Sequence, residues 1–303
     1  MPMAIAFSAY GDPEVLHPID IEPPTPGTGQ LRIRVKAAGV NPVDVKLRRG
    51  DFAATMPVDF PQRLGNEYAG IVDQVGDGVA GLTVGDEVLG STTAQGYAEY
   101  VLVDAADTVH KPASMPWTVA AGLPAVGQTA HTALHQLGVR PGDTVLIHAA
   151  AGGVGTVATQ LARLSGATVI GTASHHNHDY LRSLGATPVT YGPGLVDRIR
   201  LLTADGVDAV LDAVGGEAIA ASLALVPDRQ RIGTLVDAHA VSEHGILRLG
   251  GRSTAALREL VTLYAEGRLH IPIHATFPLS QADQAHRAVQ TGHARGKVVL
   301  TVS

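Results

Sequence analysis

The stretch VLIHAAAGGVGTVATQLARL, residues 145–164, decides how the middle of this chain folds. An apolar run leads into small residues with the spacing A-x-G-x-x-G, and apolar residues at helical spacing follow. The motif residues are Ala150, Gly152 and Gly155, and the helical positions are Val154, Val157, Ala158, Leu161 and Ala162. This pattern predicts a buried strand, a tight glycine loop and an amphipathic helix.

Strand-like and helical segments alternate after this loop. The strand-like segments are residues 144–150, 168–174, 187–192, 207–215 and 231–237. Alternating strands and helices favour a parallel sheet that is covered by helices on both faces. The sequence therefore predicts an α/β fold with a doubly wound parallel sheet, over residues 122–255.

The first part of the chain, residues 1–121, indicates a different architecture. Residues 31–37 alternate between apolar and polar side chains, as in a half-buried strand. Gly-Asp turns interrupt the strand-like runs that follow, at residues 76–78 and 85–86. We predict a compact, irregular β-barrel for this part, and a strand, a helix and a final strand within residues 256–303.

Composition excludes several classes of function. The chain has 303 residues, a formal net charge of −6 and no cysteine. The acidic balance argues against a nucleic-acid partner, and the missing thiols exclude disulfides and cysteine-ligated metals. No signal peptide is recognisable, and no apolar stretch approaches the roughly 18 residues of a membrane span. The sequence predicts no membrane partner and a cytoplasmic location.

The glycine loop predicts a dinucleotide ligand. A strand precedes the loop and a helix follows it, which is the context that makes such a motif credible. Glycines let the backbone approach a pyrophosphate, and the helix N-terminus then faces its negative charge. The alternative is a Gly/Ala-rich tight turn without a ligand.

The cofactor is predicted to be NADPH. NAD-binding folds usually carry an acidic residue at the end of the second strand, where it binds the ribose hydroxyls. Here residues 171–174 contain no acid, and the nearest one, Asp179, falls in the next helix. No Lys or Arg follows the strand, so a 2′-phosphate would meet only the partly charged histidines at 175, 176 and 178. The alternative for these histidines is a solvated loop.

Motifs spread along the chain carry a resemblance to a known family. They include VKAAGVNPVDVKLRRG (35–50), PQRLGNEYAGIVDQVGDGV (61–79), HAAAGGVG (148–155) and GHARGKVVLTV (292–302). In order and spacing the chain resembles the medium-chain dehydrogenase/reductase superfamily, in its zinc-free quinone oxidoreductase (zeta-crystallin-like) branch. The resemblance implies a GroES-like catalytic domain (1–121, completed by 256–303), an inserted Rossmann domain (122–255) and an active site in the cleft between them.

Two asparagines argue against a metal site. Zinc alcohol dehydrogenases of this superfamily carry a cysteine and a histidine where this chain has Asn41 and Asn66. The pair His131 and His135 lacks the glutamate of an HExxH motif and is interpreted as part of a helix surface. We therefore expect no metal, and hydrogen-bond donors must polarise the substrate instead.

The resemblance also assigns site residues. It implies that Asn41 lies beside the nicotinamide and donates a hydrogen bond to the substrate carbonyl. Lys46 stands where relatives often have an aromatic residue, and it is either a proton donor or a solvated side chain. Asp44 and Glu67 are expected to be structural hydrogen-bonding groups.

Cofactor contacts are expected along the carboxyl ends of the parallel strands. The predicted residues are Ala151, Gly152, Gly153 and Val154 for the pyrophosphate, Thr172, Ser174 and Tyr191 for the adenosine ribose and its phosphate, and Val214, Leu235 and Val236 for adenine and the nicotinamide ribose. Tyr191 is placed at the end of the third strand.

The predicted function is NADPH-dependent hydride transfer to a quinone without metal. Reduction of a conjugated enone, enal or enoyl thioester is the alternative within the same class. A non-catalytic NADPH-binding protein is the alternative outside it. The family usually forms homodimers through the edge of the Rossmann sheet, but the edge segment 238–252 is short and glycine-rich in this chain.

Overall fold

The computed structural model describes residues 1–303 and divides into two compact units. One unit consists of Met1–Ala125 and Leu257–Ser303, and the other of Val126–Ala256. No helix has both the length and the apolar character needed to cross a membrane. The roles predicted for the two domains remain predictions.

The regular elements follow one another along the chain in this order. They are β1 (Met3–Phe7), β2 (Leu16–Asp20), β3 (Gln30–Val40), α1 (Pro42–Arg49), β4 (Gln62–Arg63), β5 (Glu67–Val75), β6 (Glu87–Ser91), β7 (Tyr100–Asp104), β8 (Thr108–His110), α2 (Trp117–Gln136), β9 (Thr144–Ile147), α3 (Gly153–Leu164), β10 (Thr168–Thr172), α4 (His178–Ser183), β11 (Thr187–Val189), α5 (Leu195–Leu202), β12 (Ala209–Asp212), α6 (Glu217–Leu225), β13 (Ile232–Thr234), α7 (Ala238–His244), β14 (Leu247–Arg248), α8 (Thr254–Ala265), β15 (Ile273–Pro278), α9 (Ala282–Gln290) and β16 (Lys297–Thr301).

The first unit is the GroES-like domain. Its larger sheet has the order β15-β16-β3-β5-β6-β8, with β7 also paired to β3, and a small sheet has the order β2-β1-β4. The alternating residues Leu31, Ile33, Val35 and Ala37 of β3 are all buried, as their spacing predicts. Strand β16 runs antiparallel to β3, with Val298 opposite Val40. This pairing carries the C-terminal segment to the start of α1, where the candidate site lies.

The second unit is the Rossmann domain. All six strands are parallel, in the order β11-β10-β9-β12-β13-β14. The first strand, β9, lies in the centre, so the glycine loop that follows it sits where the strand order reverses. The edge strand β14 has only two residues and follows helix α7, so the edge segment contributes little strand.

The parallel strands end earlier than the sequence pattern predicts. Strand β12 covers Ala209–Asp212 rather than residues 207–215. Strand β11 ends at Val189, so the placement of Tyr191 at the strand end is wrong. Beyond Val189 the carbonyls of Thr190, Tyr191 and Gly192 accept hydrogen bonds from Arg198 instead of from a neighbouring strand.

Candidate active site and cofactor loop

Asn41 is the N-cap of helix α1, and its backbone is fixed by the third residue of that helix. Its backbone N–H donates to the Asp44 carboxylate at 2.9 Å. Pro42 occupies the first helical turn, where its missing N–H costs nothing.

The Asn41 side chain lies in a buried ionic cluster with Glu67 and Lys297. Asn41 Nδ2 donates to Glu67 Oε1 at 2.8 Å, and Lys297 Nζ donates to Asn41 Oδ1 at 2.6 Å. Lys297 Nζ also donates to Glu67 Oε1 at 2.8 Å and to the Val40 carbonyl at 3.3 Å. The side chains of Lys297 and Glu67 are 3% and 0% exposed. This network fixes the Asn41 amide, because an ammonium only donates and therefore selects the amide oxygen.

Glu67 connects the ionic cluster to helix α2. Its Oε2 accepts the backbone N–H of Ala125 at 2.7 Å, next to Pro124 inside the helix. Proline removes a helical donor and disturbs the local backbone bonding, which explains why a side chain serves this N–H. Gly39 makes room for the carboxylate, since a Cβ there would lie 2.0 Å from Glu67 Oε1.

Asp44 organises a second part of the site. In addition to Asn41, it accepts hydrogen bonds from Gly65 N–H at 3.2 Å, Asn66 Nδ2 at 2.8 Å and Tyr97 Oη at 3.2 Å. Burial raises the pKa of Asp44 to about 6, although the N–H groups of Asn41 and Gly65 and the charge of Lys297 act in the opposite direction. Asp44 and Glu67 are thus the hydrogen-bonding groups that their sequence positions suggest.

The two asparagines do not fit a zinc ion. Asn66 Nδ2 and Asn41 Nδ2 both donate to carboxylates, and Asn41 Oδ1 contacts the ammonium of Lys297. A cation at either asparagine would therefore meet amide N–H groups or the ammonium of Lys297, and the neighbouring carboxylates of Asp44 and Glu67 already accept hydrogen bonds from these groups. No group of three or more His, Asp or Glu side chains is arranged to hold a metal ion.

Lys46 lies outside this network. It is half-buried on α1, and its ammonium makes no hydrogen bond or ion pair. Its assignment as a catalytic residue remains a prediction. The buried cation of the site is Lys297, which sequence reasoning did not find. The available signal was a lysine within the terminal strand pattern GKVVL.

The glycine loop after β9 is built by close backbone packing. Ala149 adopts a left-handed conformation with φ 55°, and Gly152 caps α3 without any side chain over the helix N-terminus. A Cβ on Gly155 would lie 2.3 Å from the Ala149 carbonyl oxygen, so only glycine fits. The uncovered helix start and the close turn fit a pyrophosphate, which the predicted residues Ala151, Gly152, Gly153 and Val154 would hold.

A buried histidine stabilises this loop through hydrogen bonds. His148 Nε2 lies 3.1 Å from Ser222 Oγ, which itself donates to the Ala218 carbonyl. His148 Nδ1 lies 3.3 Å from Thr172 Oγ1, which accepts the Ala149 N–H at 3.2 Å. Neutral His148 therefore donates through Nε2 and accepts at Nδ1. Burial lowers the pKa of His148 to about 4 and keeps it neutral.

We call His148, Thr172 and Ser222 the imidazole bridge. In this bridge Thr172 has a structural role, which differs from the predicted cofactor contact. The Thr172 hydroxyl is buried and hydrogen-bonded within the protein. Its predicted cofactor contact remains a prediction. Sequence reasoning missed His148, although a histidine at the end of the apolar run VLI is a polar residue that requires partners.

Asp212 shapes the loop after β12. Its carboxylate accepts the N–H groups of Val214 and Gly215 and the hydroxyl of Thr234, the last at 2.6 Å. Thr234 Oγ1 in turn accepts the N–H of Val236 at 3.2 Å. Val214 and Val236 are 57% and 37% exposed, which is unusual for valine and leaves them free to contact a ligand.

The remaining predicted residues lie near the ends of β10, β11 and β13. Ser174 is half-buried and receives the Nδ2–H of Asn177 at 3.2 Å. Tyr191 is exposed and Leu235 half-buried. All three follow carboxyl ends of parallel strands, the edge at which α/β folds bind ligands.

Comparison with known proteins identifies the family. Residues 27–113 match the family described as alcohol dehydrogenase GroES-like domain, and residues 184–300 match the one described as zinc-binding dehydrogenase. A quinone oxidoreductase of Pseudomonas aeruginosa is 33% identical over 99% of this chain and 99% of its own length. The chain belongs to the quinone oxidoreductase branch of the medium-chain dehydrogenase/reductase superfamily.

Solved structures of this superfamily share the whole fold. The quinone oxidoreductase from Coxiella burnetii is 35% identical, with a TM-score of 0.89 over 100% of this chain and 99% of that chain. The CurK enoyl reductase is 29% identical, with a TM-score of 0.90 over 100% and 99%. Mycobacterial Rv1454c, solved in complex with NADPH, is 31% identical, with a TM-score of 0.87 over 99% and 100%.

Polyketide synthases also resemble this chain. Polyketide synthase GfsB of Streptomyces halstedii is 37% identical over 90% of this chain, and the match covers 5% of that protein. The pikromycin synthase component PikAII of Streptomyces venezuelae is 35% identical over 97% of this chain, and the match covers 8% of it. The chain spans only a small part of these relatives, so their overall activities do not transfer to it.

Proposed function

We propose that this protein is a reductase that uses NADPH to reduce a quinone, without a metal ion. The single observation that supports it most is the fixed Asn41 amide. It is held by Lys297 and Glu67 at the position where zinc-dependent relatives have a ligand. A site built this way offers a neutral hydrogen-bond donor, which suits an acceptor that is already electron-poor.

Asn41 is proposed to bind the substrate oxygen. Its Nδ2 carries two hydrogens, and Glu67 uses one of them. We assign the second to the carbonyl oxygen that gains negative charge during reduction. The ammonium at Asn41 Oδ1 polarises the amide and strengthens this donor. Lys46 is assigned to the proton supply, since it is the cationic side chain on the same helix without a partner.

NADPH, when bound, supplies the hydride and hence the reducing chemistry. The protein's part is to hold the pyrophosphate at Gly152 and Gly153 and the two riboses at the ends of the strands. Thr172 would act through the imidazole bridge, whereas Ser174 and Tyr191 would contact the adenosine end. Val214, Leu235 and Val236 would flank adenine and the nicotinamide ribose.

Alkene reduction is the second candidate. The similarity to the CurK enoyl reductase and to two polyketide synthases favours it specifically. In this reaction hydride would reach the β-carbon of a conjugated carbonyl compound and a proton its α-carbon. Asn41 would bind the same carbonyl oxygen, so the two candidates share one site and differ in the acceptor.

The test is NADPH consumption by the purified protein with a benzoquinone or a conjugated enone, with NADH in parallel. Quinone turnover that requires NADPH supports the proposal, whereas turnover with the enone alone assigns alkene reduction. NADPH binding without turnover of either acceptor would indicate a non-catalytic role. Asn41→Ala should lower quinone turnover by about 100-fold, as loss of one such donor typically does. Val43→Ala, an exposed change on the same helix, is the matched control.

A homodimer and a cytoplasmic location are proposed as well. Support for the dimer comes from the family resemblance, while the two-residue edge strand β14 offers few backbone groups for pairing. Sedimentation of the purified protein decides the oligomeric state. Replacing Leu247 by proline should dissociate the dimer only if β14 forms its interface.

A further inference from the structure

Three histidines surround the carboxyl end of β10. We define His175, His176 and His178 as the histidine cluster. The rings of His175 and His178 have centroids 5.1 Å apart, and His176 Nε2 lies 3.4 Å from Ser174 Oγ. His178 Nε2 lies 3.3 Å from the hydroxyl of Thr190, which precedes Tyr191. The cluster thus joins the two strand ends proposed to receive the adenosine end of NADPH.

The arginines around the cluster are already engaged. Arg182 pairs with Asp179 at 2.6 Å on helix α4. Arg198 of α5 donates to four backbone carbonyls between residues 190 and 193, and so uses its guanidinium to hold the loop that carries Tyr191. No lysine occurs between residues 112 and 296. The imidazoles are therefore the side chains left to neutralise an anion at this strand end.

We propose that the histidine cluster, when its imidazoles are protonated, recognises the 2′-phosphate of NADPH. The preference for NADPH over NADH therefore falls as the pH rises. The inference rests on the proposed function, because it concerns the same cofactor. His175 and His176 are exposed and His178 is half-buried, so an incoming phosphate can reach the rings. NADH lacks this phosphate and gains nothing from the charge.

The charges near the cluster set the direction of the effect. Burial and the neighbouring His175 lower the pKa of His178, while Asp179 raises it. A bound phosphate dianion places negative charge beside the rings and therefore favours their charged form. The imidazole of histidine has an unperturbed pKa of about 6.5, so a phosphate site built from imidazoles carries less positive charge as the pH rises through the physiological range. A lysine or arginine in the same place would stay charged throughout.

The phosphate's own titration predicts the opposite trend. A phosphate monoester gains its second negative charge above a pKa of about 6. With a permanently charged partner, its binding would therefore tighten or stay constant as the pH rises. Weaker binding at higher pH identifies titrating imidazoles as the partners.

Calorimetry with cofactor fragments tests this without any turnover. The probes are adenosine 2′,5′-bisphosphate and adenosine 5′-monophosphate, and the measured quantity is the ratio of their Kd values between about pH 6 and pH 8.5. We expect the preference for the bisphosphate to fall by about tenfold over this range. Replacing all three histidines by glutamine should weaken the preference at the lower pH and remove its decline.

Two further variants sharpen the result. His176→Lys supplies a permanent charge and should retain the preference at about pH 8.5. His239→Gln, which removes an exposed histidine on α7, is the control and should behave like the parent. A ratio that stays constant or rises with pH in the parent protein would overturn the inference.

Failure of the inference is distinguishable from failure of the proposed function. If NADPH and NADH support equal quinone turnover and both fragments bind equally at every pH, the reductase stands and the histidine cluster has no part in selectivity. If neither fragment binds, the dinucleotide site itself is wrong and both proposals fall.

Discussion

The ionic cluster of the first unit and the imidazole bridge of the second both hold a neighbouring group in place, but they do so with different chemistry. Each uses buried polar side chains to fix a neighbouring group, the Asn41 amide in the ionic cluster and the Ala149 backbone in the imidazole bridge. In the ionic cluster two full charges, Lys297 and Glu67, meet at 2.8 Å and share the Asn41 amide. In the imidazole bridge the central His148 is neutral and passes hydrogen bonds between Thr172 and Ser222.

The difference lies in what each group does when its partner is lost. A buried charge without its partner is costly, whereas a neutral ring loses only hydrogen bonds. The ionic cluster is therefore sensitive to single substitutions. The imidazole bridge is sensitive to acid, because a protonated His148 can no longer accept a hydrogen bond.

The largest effect is expected from Lys297→Met. It leaves Glu67 ionised and buried without a cation, which should cost about 3–5 kcal/mol of unfolding free energy. Urea denaturation measures this loss. The double variant Glu67→Gln/Lys297→Met removes both charges and should recover much of the stability. A double variant as unstable as the single one would show that packing, rather than the unpaired charge, dominates.

Acid should weaken the second unit through His148. Its pKa is lowered to about 4 in the folded state, so the unfolded chain binds a proton first as the pH falls below about 6.5. The stabilising contribution is present above that pH and is lost at about 1.4 kcal/mol per pH unit down to about pH 4. His148→Gln should flatten the pH dependence of unfolding by this amount. An unchanged pH dependence would mean that His148 takes up its proton at the same pH in the folded and unfolded states.

The contribution of Asp44 to the pH dependence of unfolding has the opposite sign to that of His148. Burial raises its pKa to about 6, so its contribution is present at low pH and is lost as the pH rises from about 4 to about 6. Asp44→Asn should therefore steepen the acid destabilisation that His148→Gln reduces. The two variants act on the same measurement in opposite directions.

The smallest effect is expected from Thr172→Val. The change preserves the shape of the side chain and removes the acceptor of the Ala149 N–H, at a cost of about 1–2 kcal/mol. NADPH affinity should fall with it, because Ala149 begins the glycine loop. Thr168→Val, at an exposed position of the same strand, is the control. Equal NADPH affinity in both variants would contradict a role of the bridge in shaping the loop.

Local patterns were sufficient to predict most of the fold. The glycine loop predicted the strand, turn and helix around Gly152, and alternation predicted β3, because both depend on neighbouring residues. The ends of the parallel strands were less predictable. Asp212 and Thr234 end their strands by binding loop backbone, and the sequence pattern continues past them.

The site was predictable only in part. Asn41 and Glu67 fall within recognisable motifs, so they were identified. Lys297 was not, because it lies 256 residues from Asn41 and meets it only through the pairing of β16 with β3. No local pattern reveals which buried carboxylate a distant lysine will neutralise.

This separation also sets an order of events during synthesis. Asn41 and Glu67 leave the ribosome long before Lys297, and the whole Rossmann domain is translated in between. Until β16 docks on β3, the first unit must keep Glu67 in contact with water, since a lone buried carboxylate is too costly. The N-terminal barrel can therefore close over the Asn41 side chain only after the last strand has been made, and the Rossmann domain has by then had time to fold.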